Sequence, residues 1–379
     1  MSASDSRRLA WAYLSSVVVG ACAPLNDLIA SVGVEEAARA VREWDLPPAL
    51  VKRTEARRHI DTAERDLEAV ARIGGRLVTP DDDEWPAWRM VGFTGIDTRR
   101  QPEGAAPLAL WVRGSGSIVE ATERAVAVVG TRAPSDYGDY VATELVSELA
   151  AQGWTIVSGG AFGIDAASHR AALAIEGSTI AVLACGIEQH YPKAHERLLE
   201  EIAARGLVVS EYPPGTTPAK HRFLARNRLI AALSDAVVVV EAGWRSGARN
   251  TAKWARGLGR PALAVPGSVL TATSTGCHQM VRDGEATLVT SAREIIDEAG
   301  PLRLPVRGSD DAAARDTDGL AGDQLLVYEA LPAVGSREPR ELSEVSGVGI
   351  DGVRGVLPLL ELAGFVGSDD TGWYRRKRA

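Results

Sequence analysis

The chain has 379 residues, 45% of them hydrophobic, and a formal net charge of −8. Such a length allows more than one core, and such a composition belongs to packed soluble proteins, not to disordered or fibrous ones. The acidic balance excludes a protein that coats duplex DNA with its whole surface. It leaves room for one confined positive groove, because local charge sets the field.

The cysteines (Cys22, Cys185, Cys277) are few, far apart and odd in number, so neither a disulfide framework nor a zinc site is expected. The histidines show no HxxxH or HxxEH spacing, and no metal or other cofactor is anticipated. No run is apolar and long enough to span a bilayer.

At the N-terminus, Arg7-Arg8, an apolar run to Val19 and then Ala21-Cys22-Ala23 imitate a secretory signal with its cleavage site. Trp11, Tyr13, Ser15 and Ser16 interrupt that run, and Asp5 precedes the arginines. Leu9, Ala12, Tyr13 and Ser16 share a helix face, so the segment reads as a structural helix and the protein as cytoplasmic. Leu25, Leu28, Ile29 and Val32 continue the helical spacing to a stop at Gly33. Further helices are predicted over 35–44 and, after Pro47-Pro48, over 50–72. Residues 1–75 thus read as a small helical module. Residues 76–113 connect it onward, with an acidic patch at 81–84 and a strand at 108–112.

From Ala125 the pattern changes. Short β-branched runs at 125–129, 155–157, 179–183, 207–209, 237–240 and 262–265 alternate with segments of helix length. Uninterrupted apolar strands of this kind belong to a parallel sheet covered on both faces. The fold class is therefore α/β and doubly wound, within 76–300, with its ligand site at the carboxyl ends of the strands. Residues 301–319 form a Pro/Gly and polar linker. Beyond it, helices at 323–330, 338–345 and 350–363 and a hairpin around an Asp-Asp-Thr-Gly turn give 320–379 a winged-helix outline.

Three segments at predicted strand ends carry candidate chemistry. Gly130-Thr131-Arg132 follows the first strand; Gly130 allows close approach of a ligand and Arg132 can pair with a phosphate. A surface arginine after a tight turn is the plainer alternative. Neither a G-x-G-x-x-G fingerprint nor a Walker lysine is present. Ser158-Gly159-Gly160-Ala161-Phe162-Gly163 can turn its amides outward as an anion nest. Asp165 and His169 beyond it read as structural, since no nucleophile or metal accompanies them.

The third segment, 220–228, holds Lys220, His221, Arg222, Phe223, Arg226, Asn227 and Arg228 with no carboxylate. Positive charge around an aromatic ring suits a single-stranded nucleic acid, phosphates on the cations and a base on the ring. A solvated charged face with Phe223 as core anchor is the alternative. Glu241, at the end of a later strand, is either an acceptor for a base or for Arg132, or a counterweight to the arginines.

The order of these pieces resembles the DNA processing protein A (DprA/Smf) family over nearly the whole chain. The matching segments are Ala127-Val128-Val129-Gly130-Thr131-Arg132, residues 157–165, Ala184-Cys185-Gly186 with Tyr191-Pro192-Lys193, residues 210–215, Phe223-Leu224-Ala225-Arg226-Asn227-Arg228 and Ala264-Val265-Pro266-Gly267. The resemblance implies an extended Rossmann-like domain that binds single-stranded DNA without hydrolysing it, forms a homodimer and loads the RecA recombinase during transformation or recombination. It implies a strand pocket of Arg132, Lys193, Lys220, Phe223, Arg226, Asn227 and Arg228, with Gly130 and Thr131 in the turn. Backbone contacts would come from Ser158, Gly159, Gly160 and Gly163. It also makes 1–75 a SAM-like module and 320–379 a winged helix. Thr131 stands where Ser is common and Gly160 where Leu is usual. Gly284-Glu285-Ala286 departs from the usual Gly-Ala pair in the region where the family builds its dimer surface.

The competing reading is a nucleotide phosphoribohydrolase on a related scaffold. That class carries Pro-Gly-Gly-x-Gly-Thr-x-x-Glu after a strand, whereas this chain has Glu241-Ala242-Gly243-Trp244-Arg245-Ser246-Gly247. The paired glycines and the catalytic-type glutamate are missing, so no enzyme is expected.

Overall fold

The computed structural model describes residues 3–300, 320–332 and 335–376, and the chain divides into two compact units between residues 302 and 303. The linker expected at 301–319 lies outside the described residues.

The first unit opens with helices Ala3–Val17, Ala23–Val32, Val34–Glu43, Pro48–Thr54 and Ala63–Arg72. The single helix expected over 50–72 is two. Between them, residues 55–62 offer only Ala56 and Ile60 as apolar side chains, and Ile60 stays exposed. With no apolar stripe to bury, the helix stops, and Asp61 accepts the Ala63 amide at 3.2 Å to start the next one. The core of these helices is continuous with that of the sheet. Leu14, Leu25, Val41 and Leu50 join Trp111, Leu199, Ile202 and Val208 in one cluster, so the helical layer lies on the sheet.

That sheet has nine strands: β1 (Gly75–Val78), β2 (Leu110–Arg113), β3 (Ala125–Val129), β4 (Thr155–Ser158), β5 (Thr179–Val182), β6 (Leu207–Ser210), β7 (Ala236–Val239), β8 (Ala262–Ala264) and β9 (Thr287–Leu288). Their order is β1-β2-β6-β5-β4-β3-β7-β8-β9, antiparallel at β1/β2 and β2/β6 and parallel elsewhere. Alternation sorts side chains between the faces. Ala125, Ala127 and Val129 pack under helices Lys220–Ala232 and Gly247–Gly257, and Val126 and Val128 under Asp136–Ala151 and Ile164–Ala174. Both faces are therefore covered, which is why the strands read as unbroken apolar runs. From β3 the chain winds outward through β4, β5 and β6, then returns to place β7 on the other flank of β3. The β3/β7 boundary is the topological switch point, where the crevice of such a sheet opens.

The second unit holds helices Asp323–Ala330, Pro339–Ser346 and Ile350–Leu362 and the hairpin β10 (Val366–Asp369) with β11 (Gly372–Arg375). Val327, Leu342, Val353, Leu357, Leu360 and Val366 are its core.

Candidate functional site

The Lys220–Ala232 helix starts against local preference. Its N-cap is Ala219, which supplies no side-chain acceptor, and its first turn carries bases and no acid. Lack of a cap costs about 1 kcal/mol, and cations at the positive end of the helix dipole add to that. The amides and charges so arranged favour an anion. This end of the helix lies at the carboxyl edge of the sheet.

There a cavity of about 460 Å³ opens at the switch point. Gly130, Thr131 and Arg132 line it from β3, Phe223, Arg226, Asn227 and Ile230 from the helix, and Gly243, Arg245 and Ser246 from beyond β7. The arginine turn is pinned on two sides. The Thr131 amide donates to the Glu241 carbonyl at 2.7 Å, and the Thr131 carbonyl accepts from the Ile164 amide at 3.2 Å. A Cβ on Gly130 would lie 2.5 Å from Ile164 Cγ1, so only glycine lets the turn settle.

Arg132 is exposed, with its guanidinium carbon 5.8 Å from the Phe223 ring centre. The half-buried Phe223 ring lies 5.4 Å from that of Tyr191. On the other side of Arg132 and Phe223 is a smaller recess of about 160 Å³, lined also by Gly159, Phe162, Tyr191, Pro192 and Arg226. Phe162 and Tyr191 are exposed there. Neither ring stood out in the sequence as a site residue, because isolated aromatics in loops carry no periodic signal. Arg245 was missed likewise; it is exposed and makes no ion pair among the described residues.

The remaining expected residues divide by environment. Lys220 and Lys193 are exposed and form no ion pair among the described residues, Lys220 on the helix's first turn and Lys193 two residues from Tyr191. Arg226 is buried; its Nη1 donates to the carbonyls of Gly159, at 2.7 Å, and of Val182. Asn227 is buried and donates to the Gly247 carbonyl at 3.3 Å. Arg228 is a correction. Its side chain is fully buried away from the opening, donating to Glu211 at 2.6 Å and to the Glu103 carbonyl at 2.7 Å. Spacing one residue beyond Asn227 turns it into the core, which a run of charges does not reveal.

The glycine loop also differs from an outward-facing nest. Its amides at Gly159 and Ala161 turn to the buried Asp165, the Ala161 contact being 3.3 Å. Burial pushes the Asp165 carboxyl up, with the Arg226 guanidinium working against it. Ser158 spends its hydroxyl on the Val128 carbonyl at 2.7 Å, and Gly160 and Gly163 line neither cavity. Gly163, at φ +78°, is required for packing, since a Cβ would lie 2.3 Å from the Thr131 carbonyl oxygen. His169 is buried against Thr179 at 2.7 Å and His195 holds the Gly160 carbonyl at 3.0 Å. Glu241 serves neither expected role. It accepts from Ser135 Oγ, the Ser135 amide and Thr273 at 2.7–2.9 Å, fixing the start of helix Asp136–Ala151.

Within the cavity lining the only carboxylate is thus Asp165, already engaged from within, while Arg132 and Arg245 reach solvent. The class defined by fold and opening is a Rossmann-like binding domain with an arginine- and aromatic-lined crevice at its switch point. The sequence profile of the DNA recombination-mediator protein A family matches residues 76–300, and the chain belongs to that family. A Mycobacterium tuberculosis relative bearing the name DNA processing protein DprA is 48% identical over 369 residues, 97% of this chain and 94% of its own. The DNA processing protein DprA of Streptococcus pneumoniae is 44% identical over 193 residues, 51% of this chain and 67% of its own. Its crystal structure superposes with a TM-score of 0.60 at 31% identity, covering 78% of this chain and 95% of that one. DNA processing protein A of Helicobacter pylori, described for its single-stranded DNA binding mode, gives 0.50 at 30% identity over 58% of this chain and 94% of its own.

Proposed function

We propose that this chain binds single-stranded DNA at the switch-point opening, without reacting with it, and delivers the strand to the RecA recombinase. The observation that carries the reading is Phe223, a half-exposed ring set between Arg132 and Tyr191 with no free carboxylate in the lining. A base stacks on such a ring while neighbouring phosphates meet cations, and duplex DNA, whose bases are already stacked, gains nothing from it. Arg132, Lys220 and Lys193 are the phosphate contacts in this reading, and Gly130, Thr131 and Gly159 shape the floor. Arg226 and Asn227 brace it from behind, and Gly160 and Gly163 hold the loops in place. The Helicobacter pylori relative, described as a single-stranded DNA binder, supports the ligand.

The same proposal takes RecA delivery, a homodimer through the Rossmann-like domain and a cytoplasmic setting from what the family resemblance implies. We assign 1–75 as the SAM-like module, 76–300 as the DNA-binding domain, 301–319 as linker and 320–379 as a winged helix. The test is a gel shift with oligothymidine and with duplex of equal length. Wild type should retain the single strand at lower protein concentration than the duplex, and Arg132→Ala and Lys220→Ala should each weaken it. Unchanged affinity in both variants overturns the site.

A further inference from the structure

A second basic stretch occurs in the N-terminal helices: residues 52–59 hold Lys52, Arg53, Arg57, Arg58 and His59 against a single carboxylate, Glu55. The structure brings part of it to the same helix start that serves the switch-point opening. A groove of about 400 Å³ runs between residues 57–66 and the Pro213–Thr217 segment. Arg57, Arg65 and Arg222 supply its positive charge. Its one acidic lining residue, Asp66, is buried and accepts from Thr62, at 2.5 Å, Ser16 and Arg65. Arg57 is exposed and forms no ion pair among the described residues. Arg222 donates to the Thr217 carbonyl and lies with its guanidinium carbon 5.7 Å from the Tyr212 ring centre. Arg222 is next in sequence to Phe223, so adjacent residues of one helix border the groove and the crevice. Ile60 gives the groove an exposed apolar edge at 47%.

We infer that this groove is a second strand-binding subsite. On the reading above, which this inference extends, the single strand leaves the crevice past Lys220 and Arg222 and crosses onto the helical layer, where Arg57 and Arg65 meet its phosphates. Net positive charge, one neutralised acid and a border formed by Arg222 next to the crevice residue Phe223 all favour a continuing polyanion over an acidic peptide, which has no reason to start at Phe223. The helical layer then acts as part of the DNA track as well as cover for the sheet.

The test is oligomer length. Fluorescence anisotropy is measured with oligothymidines of about 6 and about 20 nucleotides, inside and beyond a usual single site. Each phosphate contact on a single strand contributes a slope of about 0.7 in log affinity against log salt, which is about fivefold at 0.1 M. Arg57→Ala with Arg65→Ala should therefore weaken the long oligomer by up to about 25-fold and flatten its salt slope by about 1.4, while the short one changes less than about twofold. Arg57→Lys with Arg65→Lys should keep wild-type affinity for the long oligomer, which separates charge from folding. Lys220→Ala, by contrast, should weaken both lengths. Unchanged long-oligomer affinity in the alanine pair, with Lys220→Ala still weakening both, overturns the groove and leaves the crevice standing. Wild type binding neither oligomer overturns the crevice reading and the groove with it.

Discussion

Arg228 and Lys220 belong to one basic run, but the structure gives them opposite roles, and substitution should separate them. Arg228 and its partner Glu211 are both buried, with side-chain exposures of 0% and 2%. Among the described residues, Glu211 Oε1 and Arg228 Nη1 already have no hydrogen-bond partner. Arg228→Ala would strand the Glu211 carboxylate in the core and remove the donor to the Glu103 carbonyl. Breaking one side of a buried pair costs about 3–5 kcal/mol. For a unit of this size that lowers the melting temperature on the order of 10 °C. Calorimetry or urea unfolding reads it. Arg228→Met with Glu211→Leu removes both charges and should recover most of the loss. Lys220→Ala should leave unfolding unchanged, weaken oligothymidine about fivefold at 0.1 M salt and reduce the salt slope by about 0.7. If Arg228→Ala kept full stability and lost DNA affinity, the reasoning would fail, and Arg228 would have to reach the strand.

Phe223→Ala should weaken single-strand binding by about 1–3 kcal/mol, measured by anisotropy, while unfolding stays nearly unchanged. A fall in stability with intact binding would return the ring to the core. Gly163→Ala, forced into φ +78° and against the Thr131 carbonyl, should cost at least about 1–3 kcal/mol in unfolding and displace Arg132. Stability should also fall in acid because of His169, whose burial lowers its pKa to about 3 from an ordinary 6.5. The folded state holds it neutral, so its contribution is whole above about pH 6.5 and fades toward pH 3, by at most about 1.4 kcal/mol per pH unit. His169→Gln should flatten that limb of a stability–pH profile; an identical limb in both proteins would clear His169 of the effect.

Much of the fold was legible because burial on both faces makes parallel strands uniformly apolar. β3 was read with both its ends, and β4 to β8 to within a residue or two. β1 and β9 were not: Gly75–Val78 includes Gly75 and Arg76, and Thr287–Leu288 is two exposed residues, so neither carries the pattern. The break at 55–62 was hidden because charged residues with helix propensity, Glu55, Arg57 and Arg58, continue a pattern that tertiary burial does not sustain. At the site, Gly130-Thr131-Arg132 and Phe223 were visible from their strand ends and charge. Phe162, Tyr191 and Arg245 were not, because they meet the crevice only through loop geometry. The inward turn of Arg228 and the capture of the glycine-loop amides by Asp165 depend on side-chain direction, which residue type alone does not give.

The central claim is that a single strand lies across Phe223 at the β3/β7 switch point. Photo-cross-linking a halogenated oligothymidine to the full chain, followed by peptide mapping, tests it directly. The account predicts adducts at Phe223 and its neighbours Tyr191 and Phe162, lost on Phe223→Ala and Arg132→Ala. Adducts confined to the 320–379 unit, or persisting unchanged in both variants, would contradict it.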